Sequence, residues 1–160
     1  MLKEGGIRRL TIEIGGKTSR QLEHEMEQEG INISSYAREM LHDSHFTTLE
    51  TPKELDLAIV TVRNLGLKGY PTTDQVYSRI AELGGEFCPA ETAAHLRLAY
   101  KNQPLGEWLT MGMKLIADRG GNPDVFGLER FEGGLWLGGF WANPSYGWGP
   151  EFGFVFSLRK

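Results

Sequence analysis

The C-terminal third of the chain combines large aromatic rings with glycines, and this combination limits the folds available to it. Between Phe131 and Phe156, nine aromatic residues alternate with many glycines, whereas the N-terminal half has few of either. Alternating apolar residues are typical of half-buried strands, and clusters rich in Gly, Pro and Asn are typical of turns. The pattern therefore predicts short strands joined by turns, in a region built differently from the N-terminal half.

Five segments in the C-terminal region have strand-like patterns separated by turn residues. They are 96–100, 107–116, 125–130, 135–141 and 152–158. Short connections favour antiparallel neighbours. Because helical patterns come first and strands last, we predict an α+β fold. In it, an N-terminal strand and helices pack beside an antiparallel sheet of about five strands within 96–158.

The N-terminal part shows a strand followed by helix-start signals. Leu10, Ile12 and Ile14 alternate with polar residues, which predicts a half-buried strand over 8–14. Capping-box spacings begin one helix at Thr18 and another at Thr72. The remaining predicted elements are a helix at about 35–43, a strand covered on both faces at 55–62 and a short helix at about 89–95.

Length and composition favour one folded unit. The chain has 160 residues, of which 40% are hydrophobic and 24% are charged, close to the average of globular proteins. We expect a single integrated domain over 1–160. It comprises a strand-helix-helix subregion at 8–43, a connector at 44–53 and a main α+β region at 54–160.

Charge and cysteine usage restrict the partners and the compartment. The net charge of −4 gives no overall attraction to nucleic acid or to anionic membranes. Cys88 is the only cysteine, so an intramolecular disulfide and a thiolate zinc cluster are excluded. The first residues lack the apolar segment of a signal peptide, and no 18-residue apolar run occurs. We expect a cytoplasmic protein with no membrane partner and no cofactor.

A catalytic interpretation centres on Cys88, Glu91 and His95. Glu91 and His95 are four residues apart and would share one helix face as a carboxylate–imidazole pair. Cys88 at a helix start would have a lowered thiol pKa. These residues could form a small hydrolase or transferase, although a buried cysteine and an early-turn glutamate explain the same pattern. His42 and His45 could share a metal, but the sequence names no third ligand, and we predict no metal site.

Polar and aromatic residues near turns suggest a recognition surface instead. Arg97 either pairs with Glu107 across a hairpin or reaches a ligand anion. Aromatic residues in the Gly- and Pro-rich loops either stack on a ligand or form a lid over the sheet. Our leading hypothesis is a non-catalytic binding or regulatory module, able to form a homodimer, that recognises a small molecule or a partner protein. Its predicted ligand-binding residues are Arg97, Tyr100, Glu107, Trp108, Trp141, Tyr146 and Trp148.

Residues 8–43, which contain RRLTIEI, QLEHEMEQEG and INISSYAREML, resemble ribbon-helix-helix DNA-binding proteins. The resemblance implies an obligate dimer, a repressor or antitoxin, in which Arg9, Thr11 and Glu13 face bases and Ser34 and Ser35 meet a phosphate. Residues 1–50 carry six Lys and Arg against nine Asp and Glu, which opposes DNA binding. This function stays an alternative.

A second resemblance spans nearly the whole chain. The motifs IEIGGKT, FTTLETP, CPAE followed by LRLAYKNQPLGEW, and FVFSLRK are similar to those of a group of uncharacterised bacterial proteins. The similarity implies a bacterial origin and one integrated unit. It implies no activity, cofactor or site.

Overall fold

The computed structural model describes residues 3–4, 6–117 and 120–158, so the last two residues of the FVFSLRK motif lie outside it. The described part contains four α-helices: α1 Ser19–Gln28, α2 Ser35–Leu41, α3 Thr73–Glu82 and α4 Thr92–Ala99. Thr18 and Thr72 form the predicted capping boxes, and Ser34 caps α2. A short 3-10 helix covers Arg63–Leu65.

The described residues also contain ten strands. They are β1 Lys3–Glu4, β2 Ile7–Ile14, β3 Asn32–Ile33, β4 Lys53–Thr61, β5 Gly85–Glu86, β6 Trp108–Met111, β7 Ile116–Ala117, β8 Pro123–Phe131, β9 Gly134–Trp141 and β10 Gly153–Leu158.

All ten strands belong to one sheet. Its main order is β1-β2-β4-β10-β6-β8-β9-β3, with β5 beside β10 and β7 beside β8. The α+β class is confirmed, but the prediction of about five antiparallel strands is wrong. The sheet is mixed, because β10 runs parallel to β6 and β3 runs parallel to β9. The N-terminal strand is a member of this sheet, since β2 pairs with β4 from Arg8 to Ile14.

The two faces of the sheet are covered by different elements. On one, which we call the helical face, α1, α2 and α4 bury a large apolar cluster that includes Leu22, Met40 and Leu96. On the other, which we call the aromatic face, a smaller cluster joins Val76 and Ile80 of α3 to rings of β10 and to Trp148. This cluster leaves part of the aromatic face uncovered, as described below.

The predicted strand over 96–100 is wrong, because residues 92–99 form α4. Leu96, Leu98 and Tyr100 alternate in the sequence, and a five-residue window cannot distinguish that pattern from one face of a helix. Residues 92–97 are all buried, so the segment is an internal helix rich in Ala and Leu, which favour helices. This change moves Arg97 from a sheet surface to a helix that packs against the sheet.

None of the helices in the described part of the chain is both long and apolar enough to cross a lipid bilayer.

The hairpin formed by β8 and β9 depends on a close contact above Gly127. A Cβ added to Gly127 would lie 2.0 Å from Cε2 of Phe140, so the ring rests where a side chain would otherwise stand. Phe140 in turn contacts the rings of Trp148 and Phe152. Gly127 therefore lets Phe140 lie flat across the hairpin and reach the aromatic cluster.

We expect Gly127→Ala to lower the free energy of unfolding by about 1–3 kcal/mol, because the added methyl group displaces the Phe140 ring. Gly133→Ala is the matched control, since a Cβ there meets nothing within 4 Å. Urea denaturation followed by circular dichroism measures both variants. Equal stability of the two variants would contradict the packing role of Gly127.

Candidate binding surface on the aromatic face

Glu91 and His95 form the predicted pair, but the pair is buried. His95 Nε2 lies 3.1 Å from Glu91 Oε1, and Glu91 is 1% exposed. The Glu91 carboxylate also accepts the backbone amides of Gly15 at 3.0 Å and Leu49 at 2.7 Å. Burial lowers the pKa of His95. The carboxylate therefore joins α4 to the end of β2 and to the connector, a structural role.

The prediction of an activated thiol at Cys88 is wrong. Cys88 precedes α4 by four residues and is only 3% exposed, and its Sγ lies 3.9 Å from the carbonyl oxygen of Val155. Burial raises the pKa of the thiol to about 12. Cys88 forms part of the wall of a cavity of about 430 Å³. A protonated and buried sulfur is a poor nucleophile.

Arg97 is completely buried, so the expectation that it contacts a ligand or pairs with Glu107 is wrong. Its Nη1 donates to Gln103 Oε1 at 2.6 Å and to the carbonyls of Trp136 at 3.2 Å and Glu129 at 3.3 Å. Its Nη2 donates to the carbonyl of Tyr100 at 2.5 Å. Burial lowers its pKa to about 10. Neutral oxygens surround this cation. Its hydrogen bonds to Glu129 and Trp136 fix the backbone of β8 and β9.

Tyr100 and Glu107 belong to a separate cluster with Arg8. The Tyr100 hydroxyl donates to Glu107 Oε1 at 2.8 Å, while Arg8 donates to Glu107 Oε2 at 2.8 Å and to the Tyr100 oxygen at 3.1 Å. The acid and the base are half-buried and neutralise each other. Hydrogen bonding among these three side chains joins β2 to the start of β6.

Trp148 is the second predicted ligand residue that the structure buries. It is 1% exposed, its indole N–H donates to Thr73 Oγ1 at 2.7 Å, and its ring packs 5.0 Å from that of Phe154. Trp148 therefore forms part of a lid, which anchors residues 142–152 to α3. A buried ring that has already found its hydrogen-bond partner offers no surface to a ligand.

Other aromatic residues stay accessible around that lid. Trp108 is 40% exposed, Trp141 57% and Tyr146 47%. Trp141 and Tyr146 line a cavity of about 240 Å³, together with Gly139, Phe140, Trp148 and Phe152. The ring of Trp108 lies 5.2 Å from that of Phe152, which connects this cavity to the open end of β6. Trp108, Trp141 and Tyr146 are therefore the predicted aromatic residues that a partner can reach.

The open part of the aromatic face carries a row that the sequence analysis missed. Trp108 is directly opposite Glu129, which is directly opposite Trp136, so the three side chains share one face across β6, β8 and β9. Burial raises the pKa of Glu129, and no residue that the structure describes forms a hydrogen bond or ion pair with its carboxylate. Phe131, which is 41% exposed, contacts Trp136 at the end of the row.

The sequence contains a signal for one pairing of this row, that of Glu129 with Trp136. The turn at Glu132 and Gly133 pairs Phe131 with Gly134, and counting back from it places Glu129 opposite Trp136. The pairing of Trp108 with Glu129 had no such signal, because residues 112–122, which include β7, separate β6 from β8 in the sequence.

The residues proposed for DNA contact lie on an acidic strip. Arg9, Thr11 and Glu13 are exposed, but Thr11 donates to Asp56 at 2.7 Å and Glu13 is opposite Glu54. These carboxylates repel a phosphate backbone.

The proposed phosphate contact lies at the start of α2. Ser34 Oγ accepts the amide of Ala37 at 3.1 Å as the cap of this seven-residue helix, and Ser35 is exposed.

The two histidines at the end of α2 have separate partners. His42 Nε2 lies 2.8 Å from Glu23, and His45 Nδ1 lies 2.8 Å from Asp43. Within residues 3–4, 6–117 and 120–158, no three His, Cys, Asp or Glu side chains are grouped so that they could hold a metal ion.

No protein-family model, curated protein or solved structure matches the chain. The similarity to ribbon-helix-helix proteins and to the bacterial group therefore stays a prediction from the sequence motifs.

We expect Glu91→Gln to lower the free energy of unfolding by about 1–3 kcal/mol, because an amide NH₂ would replace one of the two oxygens of this buried side chain that accept backbone amides. Glu50→Gln is the matched control, since Glu50 is exposed. Urea denaturation of the two variants measures the difference. A loss no larger than that of the control would contradict the role assigned to the Glu91 carboxylate.

Cys88 is expected to react with iodoacetamide at pH 8 far more slowly in the native protein than after unfolding in urea. A thiol of pKa about 12 is only about 10⁻⁴ thiolate at that pH, and burial also restricts access. Mass spectrometry of timed samples measures the rate, with glutathione as the reference thiol. A native rate close to that of glutathione would contradict this prediction and would favour a thiol enzyme.

Proposed function

We propose that the protein is a non-catalytic binding module that recognises a peptide segment of a partner protein on the aromatic face. The observation that carries the proposal is a set of large rings left accessible on a sheet face that α3 and the 142–152 segment cover only in part. The exposed members on this face are Trp108, Phe131 and Tyr146, with Trp136, Phe140 and Phe152 half-buried beside them. Trp141 projects from the other side of β9, opposite Asp124, but it lines the adjoining cavity at the end of this strand.

Accessible aromatic groups of this kind favour recognition. Exposed apolar patches rimmed by polar groups mark interaction sites on monomeric proteins, and Trp and Tyr are enriched among residues that dominate binding energy. The rings are also held in place by neighbours, as Trp108 is by Phe152 and Tyr146 is by Trp148 at 5.2 Å. Rings that are already ordered lose less conformational entropy when a partner binds.

The shape of the surface favours a peptide over a small molecule. The cavity beside Trp141 and Tyr146 has a volume of about 240 Å³, below the range of about 300–1,000 Å³ typical of drug-sized ligands. The rest of the surface is an open sheet face, which runs from Phe152 through Trp108 to Trp136. An extended chain can cover such a surface, whereas a small molecule on it would stay largely exposed to solvent.

The two alternative functions have less support. A thiol enzyme needs an accessible thiolate, and Cys88 is buried with a raised pKa. A ribbon-helix-helix repressor needs a basic ribbon, and the exposed face of β2 lies beside Glu54 and Asp56.

The proposal is tested by selecting peptides from a random phage-displayed library on the native protein. We expect the enriched peptides to bind Trp108→Ala and Trp141→Ala at least about tenfold more weakly, because each substitution removes an accessible ring. Titration calorimetry of synthetic peptides measures the affinities.

Leu49→Ala is the matched control, because Leu49 is an exposed apolar residue, 41% accessible, in the connector that is hydrogen-bonded to the Glu91 carboxylate beside α4. Its peptide affinity should equal that of the native protein. Failure to enrich any peptide, or equal binding by Trp108→Ala, Trp141→Ala and the control, would overturn the proposed function.

A further inference from the structure

The three-residue row across β6, β8 and β9 combines two indoles with one carboxylate. Glu129 lies between Trp108 and Trp136 in directly opposed cross-strand positions, so each neighbouring Cβ is about 5 Å away. A Cβ added to Gly138 would lie 2.3 Å from Glu129 Oε1. The carboxylate is therefore folded down over the glycine of β9, on the same side of the sheet as both rings.

The carboxylate has no partner to neutralise it among the described residues. Acid–base pairs form elsewhere, such as Arg8 with Glu107 and Arg63 with Glu151, but no pair among the described side chains includes Glu129. Burial raises its pKa, and no charge or hydrogen bond from the residues that the structure describes opposes that effect. An isolated acid that is partly removed from water lowers stability unless a cation compensates for it. This position therefore has a cost that a bound cation would offset.

We propose that the row formed by Trp108, Glu129 and Trp136 binds an arginine side chain of the partner peptide. This inference rests on the proposed function, since it names the group that the aromatic face recognises. A guanidinium stacks on the indole faces and donates paired N–H bonds to the carboxylate, so the three residues contact one planar cation.

The chemistry of the row distinguishes arginine from other ligands. An anion would be repelled by Glu129, and a purely apolar side chain would leave the carboxylate without a partner. A lysine ammonium can pair with the acid, but it is more strongly hydrated and cannot stack as a plane between rings. Arginine is also among the residues that contribute most at protein interfaces.

The backbone beneath the row is fixed from the opposite side of the sheet. Arg97 donates to the carbonyls of Glu129 and Trp136, and Gln103 Nε2 donates to the carbonyls of Glu107 and Leu128, both at 3.0 Å. Each of the three row residues therefore either receives one of these bonds at its own carbonyl or follows a residue that does. This arrangement positions the row before a ligand arrives.

The experiment is titration of the isotope-labelled protein with N-acetyl-arginine amide, observed through the four indole N–H signals by nuclear magnetic resonance. The uncharged analogue N-acetyl-citrulline amide and N-acetyl-lysine amide are titrated in parallel. We expect arginine amide to shift the Trp108 and Trp136 signals and to leave that of Trp148 unchanged, because its indole N–H is buried against Thr73. Citrulline amide should bind at least about tenfold more weakly, since it lacks the charge.

Glu129→Gln should weaken arginine binding at least about tenfold, and Glu132→Gln is the matched control because it removes an exposed charge from the adjacent turn. Shifts as large with citrulline or lysine amide as with arginine amide, or no shift with arginine amide, would overturn the inference. The comparison of the three amides uses the native protein, so it decides the question even where Glu129→Gln is unstable.

The outcomes separate this inference from the proposed function. If selected peptides depend on Trp108 and Trp141 while arginine amide causes no shift, the proposed function stands and the arginine inference fails. If no peptide binds but arginine amide shifts both indoles, the binding row stands and peptide recognition fails.

Discussion

The buried guanidinium of Arg97 provides the interactions on which the rest of the proposed binding surface depends. It lies on the helical face and is surrounded by oxygens of Gln103, Tyr100, Glu129 and Trp136, none of which is charged. A buried cation lowers stability unless its donors are used, so the surrounding carbonyls are held where Arg97 needs them. Two of those carbonyls belong to residues whose side chains point to the opposite face. The packing of α4 on one side of the sheet thus sets the geometry of the row on the other.

The two faces of the sheet use similar residue types for different purposes. On the helical face, the Glu91 carboxylate and the two terminal nitrogens of Arg97 are engaged by backbone and side-chain partners, and both residues act as connectors between elements. On the aromatic face, Trp148 is buried and bonded, whereas Trp108 and Tyr146 are accessible and Glu129 has no partner in the described part of the chain. Residue type alone therefore does not separate a structural group from a recognition group. Burial and the completeness of hydrogen bonding do so.

Glycine makes the aromatic face possible. Gly127 accommodates the ring of Phe140, and Gly138 accommodates the carboxylate of Glu129. Side chains on these two residues would lift the ring and the acid away from the sheet and would separate the cavity near Trp141 from the row near Trp108. The high glycine content of the C-terminal region, which first indicated turns, therefore also has a role within the strands. Two of the glycines lie in the centre of the hairpin, where they allow larger neighbours to lie flat.

The sequence by itself determined the local structure wherever the signal was local. Capping boxes at Thr18 and Thr72 and the strand over 8–14 follow from interactions within a few residues, and all are present. Trp108, Trp141 and Tyr146 were predicted as ligand-binding residues from their position near turns, and all three side chains are exposed. The tertiary structure decided the features that depend on contacts between residues far apart in the sequence. These are the position of β10 between β4 and β6, the burial of Arg97 and Trp148, and the cross-strand pairing of Trp108 with Glu129. Period-two alternation over 96–100 suggested a strand, and only the packing of α4 against the sheet decided for a helix. The register between strands that are far apart in the sequence depends on the packing of the whole core, and no short segment of the sequence contains that information.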